Sequence, residues 1–312
     1  MSTTDKAKTT TADPNASIRG ARLLVLLLAL AWGLNWPMSR LTLAELPPWG
    51  TRFLSLGLGT LVLFMVVVIS RRRLLIRPAN LIHVTVAGFF NVAAFNILNI
   101  EAIASGNASR AVVIAYSMPI WAALMAWLTV GEVFDRVRVL ALLLCATGLV
   151  TLIWPLAQHG LPFSALLSLG CAFAWAIGTV YMKWADIDAD AITITAWQLL
   201  VGWIFIGAGM LIFEGPPPDV TALHVTTIGP LVYNGLIGFG LAYSLWFTIV
   251  GRLPAMTASL GSLLVPVVGI AASAAILGER PTLTDYVGFA LIFAAAACVL
   301  LRPNVRHTEL PE

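Results

Sequence analysis

Ten apolar runs of membrane-spanning length occupy most of this chain, separated by short connectors bounded by charge, proline and glycine. They lie near Ala21–Thr42, Trp49–Ile69, Leu81–Ala104, Ser109–Val130, Val137–Trp154, Phe163–Trp184, Ala191–Phe213, Leu223–Val250, Ala255–Leu277 and Thr284–Leu301. A run of about 20 apolar residues crosses a bilayer as a helix, because a helix closes its backbone hydrogen bonds within itself. A water-soluble fold could not cover the apolar surface that remains: 59% of the residues are hydrophobic and only 11% charged, against roughly a quarter charged in an ordinary soluble domain. The pattern predicts an all-α integral membrane protein of ten transmembrane helices, with the lipid bilayer as its solvent. Residues 1–17, polar and Thr-rich, are expected to form a disordered tail, and 304–312 a second one. The first apolar run is span-length and lacks the short core and small-residue cleavage site of a signal peptide, so it is expected to stay as a helix.

Basic residues orient the bundle. With the N-terminus inside, alternate loops place Lys6, Lys8, Arg19, Arg22, Arg71, Arg72, Arg73, Arg77, Arg136, Arg138, Lys183, Arg252, Arg302 and Arg306 in the cytoplasm, 14 of the 18 Lys and Arg residues. Arg40, Arg110 and Arg280 fall outside and Arg52 within a span. By the positive-inside rule this predicts an inner-membrane protein with both termini cytoplasmic.

The chain also repeats itself. Pro119 and Gly131-Glu132 recur as Pro266 and Gly278-Glu279, an offset of 147 residues that also carries Gly88 onto Gly235. Slightly shorter offsets carry Trp32 onto Trp175 and Arg52 onto Gln198. The repeat divides the chain into five-helix units at 18–157 and 158–303. Five is odd, so the second unit enters the membrane from the opposite side. Inverted repeats of this kind place a substrate at their interface and exchange its access by rocking.

A membrane-buried proline followed thirteen residues later by the Glu of a Gly-Glu pair, once per half, resembles the EamA family of the drug/metabolite transporter superfamily. The likeness runs from Arg19 to Arg302. Ala31-Trp32-Gly33 and the stretch from Tyr116 to Pro119 are similar to the amino-acid exporters of that family, with aromatic amino-acid exporters of the YddG type nearest. The resemblance implies a secondary transporter with an amino acid as its small-molecule substrate. Exporters of other small metabolites or drugs share the same skeleton and are the alternative.

Polar and aromatic groups deep in the spans are the candidates for a substrate cavity. A proline inside a helix leaves the carbonyl four residues earlier without its donor, so Pro37, Pro119 and Pro266 free the carbonyls of Gly33, Ala115 and Ser262 and are candidate hinges. Asn91, Asn96 and Asn99 fall near one face of the third span, with Gly238, Tyr243 and Trp246 as their counterparts in the eighth. With Trp32, Asn35, Tyr116 and Trp175, the three asparagines, Tyr243 and Trp246 make up the candidate substrate-binding set. Structural readings compete: amides cross-link helices, and Trp and Tyr populate interfacial belts.

The ionisable residues His83, Arg52 and Glu101 fall near span ends, and Glu101 is expected to pair with Arg110. Phosphorylated substrates call for midplane Lys or Arg and coupled organic cations for a buried carboxylate, so a neutral or zwitterionic solute fits better. No arrangement of His, Asp, Glu, Cys or Ser marks a catalytic or metal site, no phosphate-binding loop marks an ATP-driven pump, and no basic, aromatic-studded stretch marks a nucleic-acid binder. The expectation is a transporter and not an enzyme, with no cofactor and with its oligomeric state left open. Reporter fusions at Gly160 and at the C-terminus should report opposite sides of the membrane; the same side for both would remove the inverted topology.

Overall fold

The computed structural model describes residues 14–130, 136–157, 162–246 and 255–300, and among these all regular structure is helical. Helix α1 (Pro14–Thr42) begins inside the segment expected as a tail, and α2 (Pro48–Ile69) follows after a short turn. Next, α3 (Pro78–Gly88) and α4 (Phe95–Ser105) are joined without a break by a π-helical segment, Phe89–Ala94. The fourth expected span is two helices, α5 (Ala108–Ala115) and α6 (Met118–Val130). Single helices α7 (Arg136–Ala157), α8 (Phe163–Ala185) and α9 (Ala191–Phe213) come next. After them α10 (Val225–Tyr233) runs into a second π segment, Asn234–Leu241, and the chain stays helical to Trp246. The last two helices are α11 (Ala255–Leu277) and α12 (Leu283–Leu300). Residues 1–13 of the first expected tail, all of the second, and the Gly131-Glu132 pair lie outside the described residues.

Among the described residues, six helical stretches are long and apolar enough to cross a membrane, and three shorter apolar ones lie within α7, α11 and α12. The outer surface fits lipid: Leu128, Phe213 and Ile69 are 72%, 71% and 79% exposed, where water would penalise them. Inside, α1 packs on α11, α2 on α9 and on the second π segment, α4 and α6 on α8, α7 on α12, and α9 on the first π segment. Ile103, Val112, Cys171 and Val265 anchor one core, and Leu56, Leu63, Leu199 and Phe239 another. Between lipid-solvated helices such interlocking supplies van der Waals attraction in place of a hydrophobic drive.

Helix starts carry unsatisfied N–H groups, and at one end of the bundle carboxylates from other helices satisfy them. Glu214, just past α9, accepts from the N–H groups of Trp49 and Gly50 at the start of α2, at 2.8 and 2.7 Å. Glu45 accepts from the His224 N–H and the Thr227 hydroxyl at the start of α10, at 3.0 and 2.8 Å. Those bonds, the His224 N–H first, hold the Glu45 carboxyl below its usual range. Its strap is therefore complete at neutral pH and is lost only as the pH falls through that lowered value. Arg40 closes the other kind of end, donating to the Ile103 and Ala104 carbonyls as α4 finishes. The opposite end holds the basic turn after α2, where Arg72 meets Asp190, itself the cap of α9, and Arg77 meets Asp188 at 3.1 Å.

The Gly-Glu pair gains a physical meaning at this capped end. Gly278 has a φ of +68°, the left-handed turn with which glycine ends a helix, and Glu279 then reaches across to α5. Its carboxylate accepts from the N–H groups of Ala108 and Ser109, at 2.8 and 3.0 Å, and from the Ser109 hydroxyl. A motif of the second half thus caps a helix of the first. Glu279→Ala should lower the melting temperature of the purified protein by the equivalent of about 1 kcal/mol or more, the usual loss of a cap, with Glu279→Gln falling between; an unchanged transition would show that the cap contributes nothing.

Candidate functional site

A cavity of about 320 Å³ opens between α1, α4, the α5–α6 break, α8 and the second π segment. Its walls include Trp32, Asn35, Asn96, Asn99, Tyr116, Trp175, Tyr243 and Trp246, so eight of the nine candidates from the sequence border one space. Asn91 lines an adjoining hollow of about 210 Å³ that shares Trp175, Thr179, Tyr243 and Trp246 with the first. A third, of about 200 Å³, lies toward the capped end beside Ser105, Arg110 and Ser168.

Breaks in α geometry shape the main cavity. Pro119 has no N–H for the Ala115 carbonyl, and the helix stops there: Tyr116 leaves helical backbone with ψ of 9° and the Ser117 N–H bonds the Ile114 carbonyl at 3.1 Å. Tyr116 sits at the interruption itself, where its ring reaches the cavity. The other two prolines behave differently. Pro37 lies inside a continuous α1 and Pro266 inside a continuous α11, so the two repeats do not share one kink. The Gly33 carbonyl that Pro37 frees lies on the α11 side, where a Cβ added at Gly269 would meet it at 3.5 Å. Helix packing accommodates that carbonyl without a break.

Trp32 fixes one wall. Its indole N–H donates to the Gly238 carbonyl at 3.1 Å, and its ring lies 5.6 Å from Tyr243 edge-on and 5.7 Å from Trp246. Across from it Trp175 packs on Phe95, with ring centres 4.8 Å apart. The amides are held from behind: Asn96 donates to the Val92 carbonyl of the first π segment at 2.9 Å, and Asn91 to Gln198 at 3.3 Å. Within the candidate set, two amide oxygens have no partner among the described residues, Oδ1 of Asn35 and Oδ1 of Asn91.

These two asparagines make mirror-image contacts. Asn35 of α1 packs on Gly238 of the second π segment, and a Cβ at Gly238 would meet its Oδ1 at 2.4 Å. Asn91 of the first π segment packs on Gly178 of α8, where the same distance is 2.1 Å. Large and small partners have changed places, and neither glycine tolerates a side chain without moving an amide.

One expectation needs correction. Arg110 does not pair with Glu101; its guanidinium grips Asp285 at the start of α12 through two bonds of 3.0 and 3.2 Å. The first turn of α5 faces α12, which no connector length reveals. Arg52 lies near the start of its span, as expected. It is completely buried behind the cavity wall, because α4 and the second π segment cover the start of α2. Its Nε donates to the Asn96 carbonyl at 3.3 Å, its Nη2 to the Asn99 side-chain oxygen, and its guanidinium lies 5.7 Å above the Phe239 ring. The buried Arg52 is the residue that sequence reasoning undervalued, and its pairing with a repeat-related Gln198 was the available signal.

A helical, multi-pass membrane bundle with an aromatic and amide-lined interior cavity defines a transporter-like class. Residues 20–154 and 162–301 each match the EamA-like transporter family, and this chain belongs to that family. It is 29% identical over 284 residues to the uncharacterized transporter YvbV of Bacillus subtilis (strain 168), covering 89% of this chain and 90% of the relative. It is 27% identical over 284 residues to a probable amino-acid metabolite efflux pump of Escherichia coli (strain K12), covering 86% and 91%. A pump of the same name from Salmonella typhimurium (strain LT2) is 26% identical over 294 residues, covering 91% and 96%. One crystal structure shares the fold at a TM-score of 0.66 and 20% identity, over 91% of this chain and 97% of that one.

Gly238→Ala should lower the melting temperature by the equivalent of about 1–3 kcal/mol, as overpacking does. Asn35→Ala in the same chain should recover most of that loss, because Asn35 supplies the close contacts. A double variant no better than the single one would place the strain elsewhere.

Proposed function

We propose that this protein is a secondary exporter of small neutral or zwitterionic metabolites, amino acids with aromatic or other apolar side chains foremost, working by alternating access of two inverted five-helix halves. The cavity carries the reading, because helices of both halves build it from rings for an apolar side chain and amides for charged ends. Support for the inverted plan comes from packing. The contact of α2 with the second π segment has a counterpart in that of α9 with the first, and α1 on α11 is matched by α8 on α6. The π segment Phe89–Ala94 maps by the 147-residue offset into Asn234–Leu241. The amino-acid assignment draws on the names of the Escherichia and Salmonella relatives.

Ten spans with both termini in the cytoplasm complete the reading, and the arginine turn after α2 then lies inside and the carboxylate-capped end outside. Pro37, Pro119 and Pro266 are the proposed hinges, and of the three it is Pro119 that follows a break in its helix. Transport is facilitative in this account, since coupling needs a site whose protonation differs between access states and the described residues of the cavity wall include amides and no carboxylate.

Proteoliposomes loaded with unlabelled phenylalanine or leucine should accumulate the labelled amino acid by counterflow, with no imposed pH gradient or potential. Alanine at Trp32, Asn96, Tyr116, Trp175 or Tyr243 should change the rate or preference at unchanged expression. Exchange confined to sugars or amines would shift the assignment to other metabolites, and a strict need for a pH gradient would remove the facilitative mechanism.

A further inference from the structure

Arg52 is a fully buried charge with an incomplete set of partners. Its guanidinium is engaged by neutral groups, the Asn96 carbonyl, the Asn99 amide oxygen and the Phe239 ring, while Nη1 has no partner among the described residues. Among the described residues it forms no ion pair. A buried cation without a counter-charge is costly, and ring and carbonyl dipoles offset only part of that. The fold itself does not require the charge, because the repeat-related position holds the uncharged Gln198, which makes an amide contact across the halves to Asn91. A residue that costs stability and is dispensable to packing points to recognition.

We propose that Arg52 and Asn99 form a carboxylate-recognising corner of the cavity, with Asn99 as the group that touches the substrate and Arg52 as its positioning residue. Bonding to Nη2 occupies the Asn99 oxygen, which turns the Asn99 NH2 donors away from Arg52. Asn99 is itself a wall residue of the cavity, so it offers those donors with a full positive charge behind them. In a low-dielectric wall that charge attracts an anion and opposes a bare cation. The unpartnered Asn35 oxygen, packed on Gly238, becomes an acceptor for an ammonium once its amide turns toward the cavity that Asn35 lines. The substrate class is then an apolar carboxylic acid, an α-amino acid meeting both poles and an α-keto acid meeting the anionic one. This rests on the reading of the cavity as the substrate site.

The test compares phenylalanine and phenylpyruvate with phenethylamine and phenylalaninamide, which lack the carboxylate, in exchange by proteoliposomes and in thermal stabilisation of the purified protein. Wild type should favour the carboxylates about 10- to 100-fold in half-saturating concentration, the scale of a charged hydrogen bond. Arg52→Gln, which copies the residue of the other repeat, should bring the ratio close to one through KM with a smaller effect on maximal rate. Arg52→Lys should keep part of the preference, and it decides the variant arm if the glutamine variant does not fold. Equal handling of phenylalanine and phenethylamine by wild type would overturn the corner while leaving amino-acid transport standing. Full preference retained in Arg52→Gln would also overturn it. Stabilisation of wild type by acetate as strong as that by phenylalanine would identify a resident anion and overturn it too. Carboxylate-specific stabilisation without exchange would uphold the corner and remove the transport reading, and neither stabilisation nor exchange by any carboxylate would remove both.

Discussion

Inside a bilayer no water is available to a backbone N–H or carbonyl, so any departure from the α-helix must be buried in protein or open onto a cavity. This constraint organises the molecule. The two π segments and the interruption at Tyr116 and Ser117 are its departures from helix within the described spans, and residues at each of them line the interior hollows. The Gly238 carbonyl, in the second π segment, takes its hydrogen from Trp32, and the Val92 carbonyl, in the first, from Asn96. The groups that repair the backbone are therefore the groups that shape the cavity, and irregular turns of this type gather at functional sites in other helices.

Helix ends obey the same constraint with charge. Glu214, Glu45 and Glu279 each leave their own helix to cap another, so the first turns of α2, α10 and α5 are tied to distant parts of the chain. All three ties join opposite halves: Glu214 reaches α2, Glu45 reaches α10, and Glu279 reaches α5. Relative movement of the halves must carry these straps as rigid units or release them. Charge is thereby concentrated at the ends, which leaves Arg52 as the exception in the interior and explains why its environment matters to the chemistry of the cavity.

Much of the architecture was legible in the sequence because its signals are long or doubled. Twenty-residue apolar runs survive errors of several residues at each boundary, and the doubled Pro and Gly-Glu motif exposes the repeat without any alignment. Trp32, Asn96, Asn99, Tyr116, Trp175 and Tyr243 were legible as wall residues because polar and aromatic side chains deep in apolar spans have few other uses. What stayed hidden depends on tertiary contact. The burial of Arg52 comes from the helix laid over the first turn of α2, the partner of Arg110 lies 175 residues away, and π geometry has no residue signature in Phe89–Ala94. Pro119 and Pro266 look identical in sequence, yet a helix breaks at one and continues through the other, because neighbours and not the proline decide where the freed carbonyl turns.

The central claim is that both halves share one cavity whose access alternates. Single cysteines at Ser168, toward the capped end, and at Thr179, on the same helix toward the arginine end, report it most directly when placed in a chain whose Cys145, Cys171 and Cys298 are serine. Each should react with a membrane-impermeant thiol reagent from its own side of the membrane, and a transported amino acid should raise one rate while lowering the other. Rates that rise or fall together, or labelling of both positions from the same side, would contradict alternating access and leave a static pore or a sealed bundle in its place.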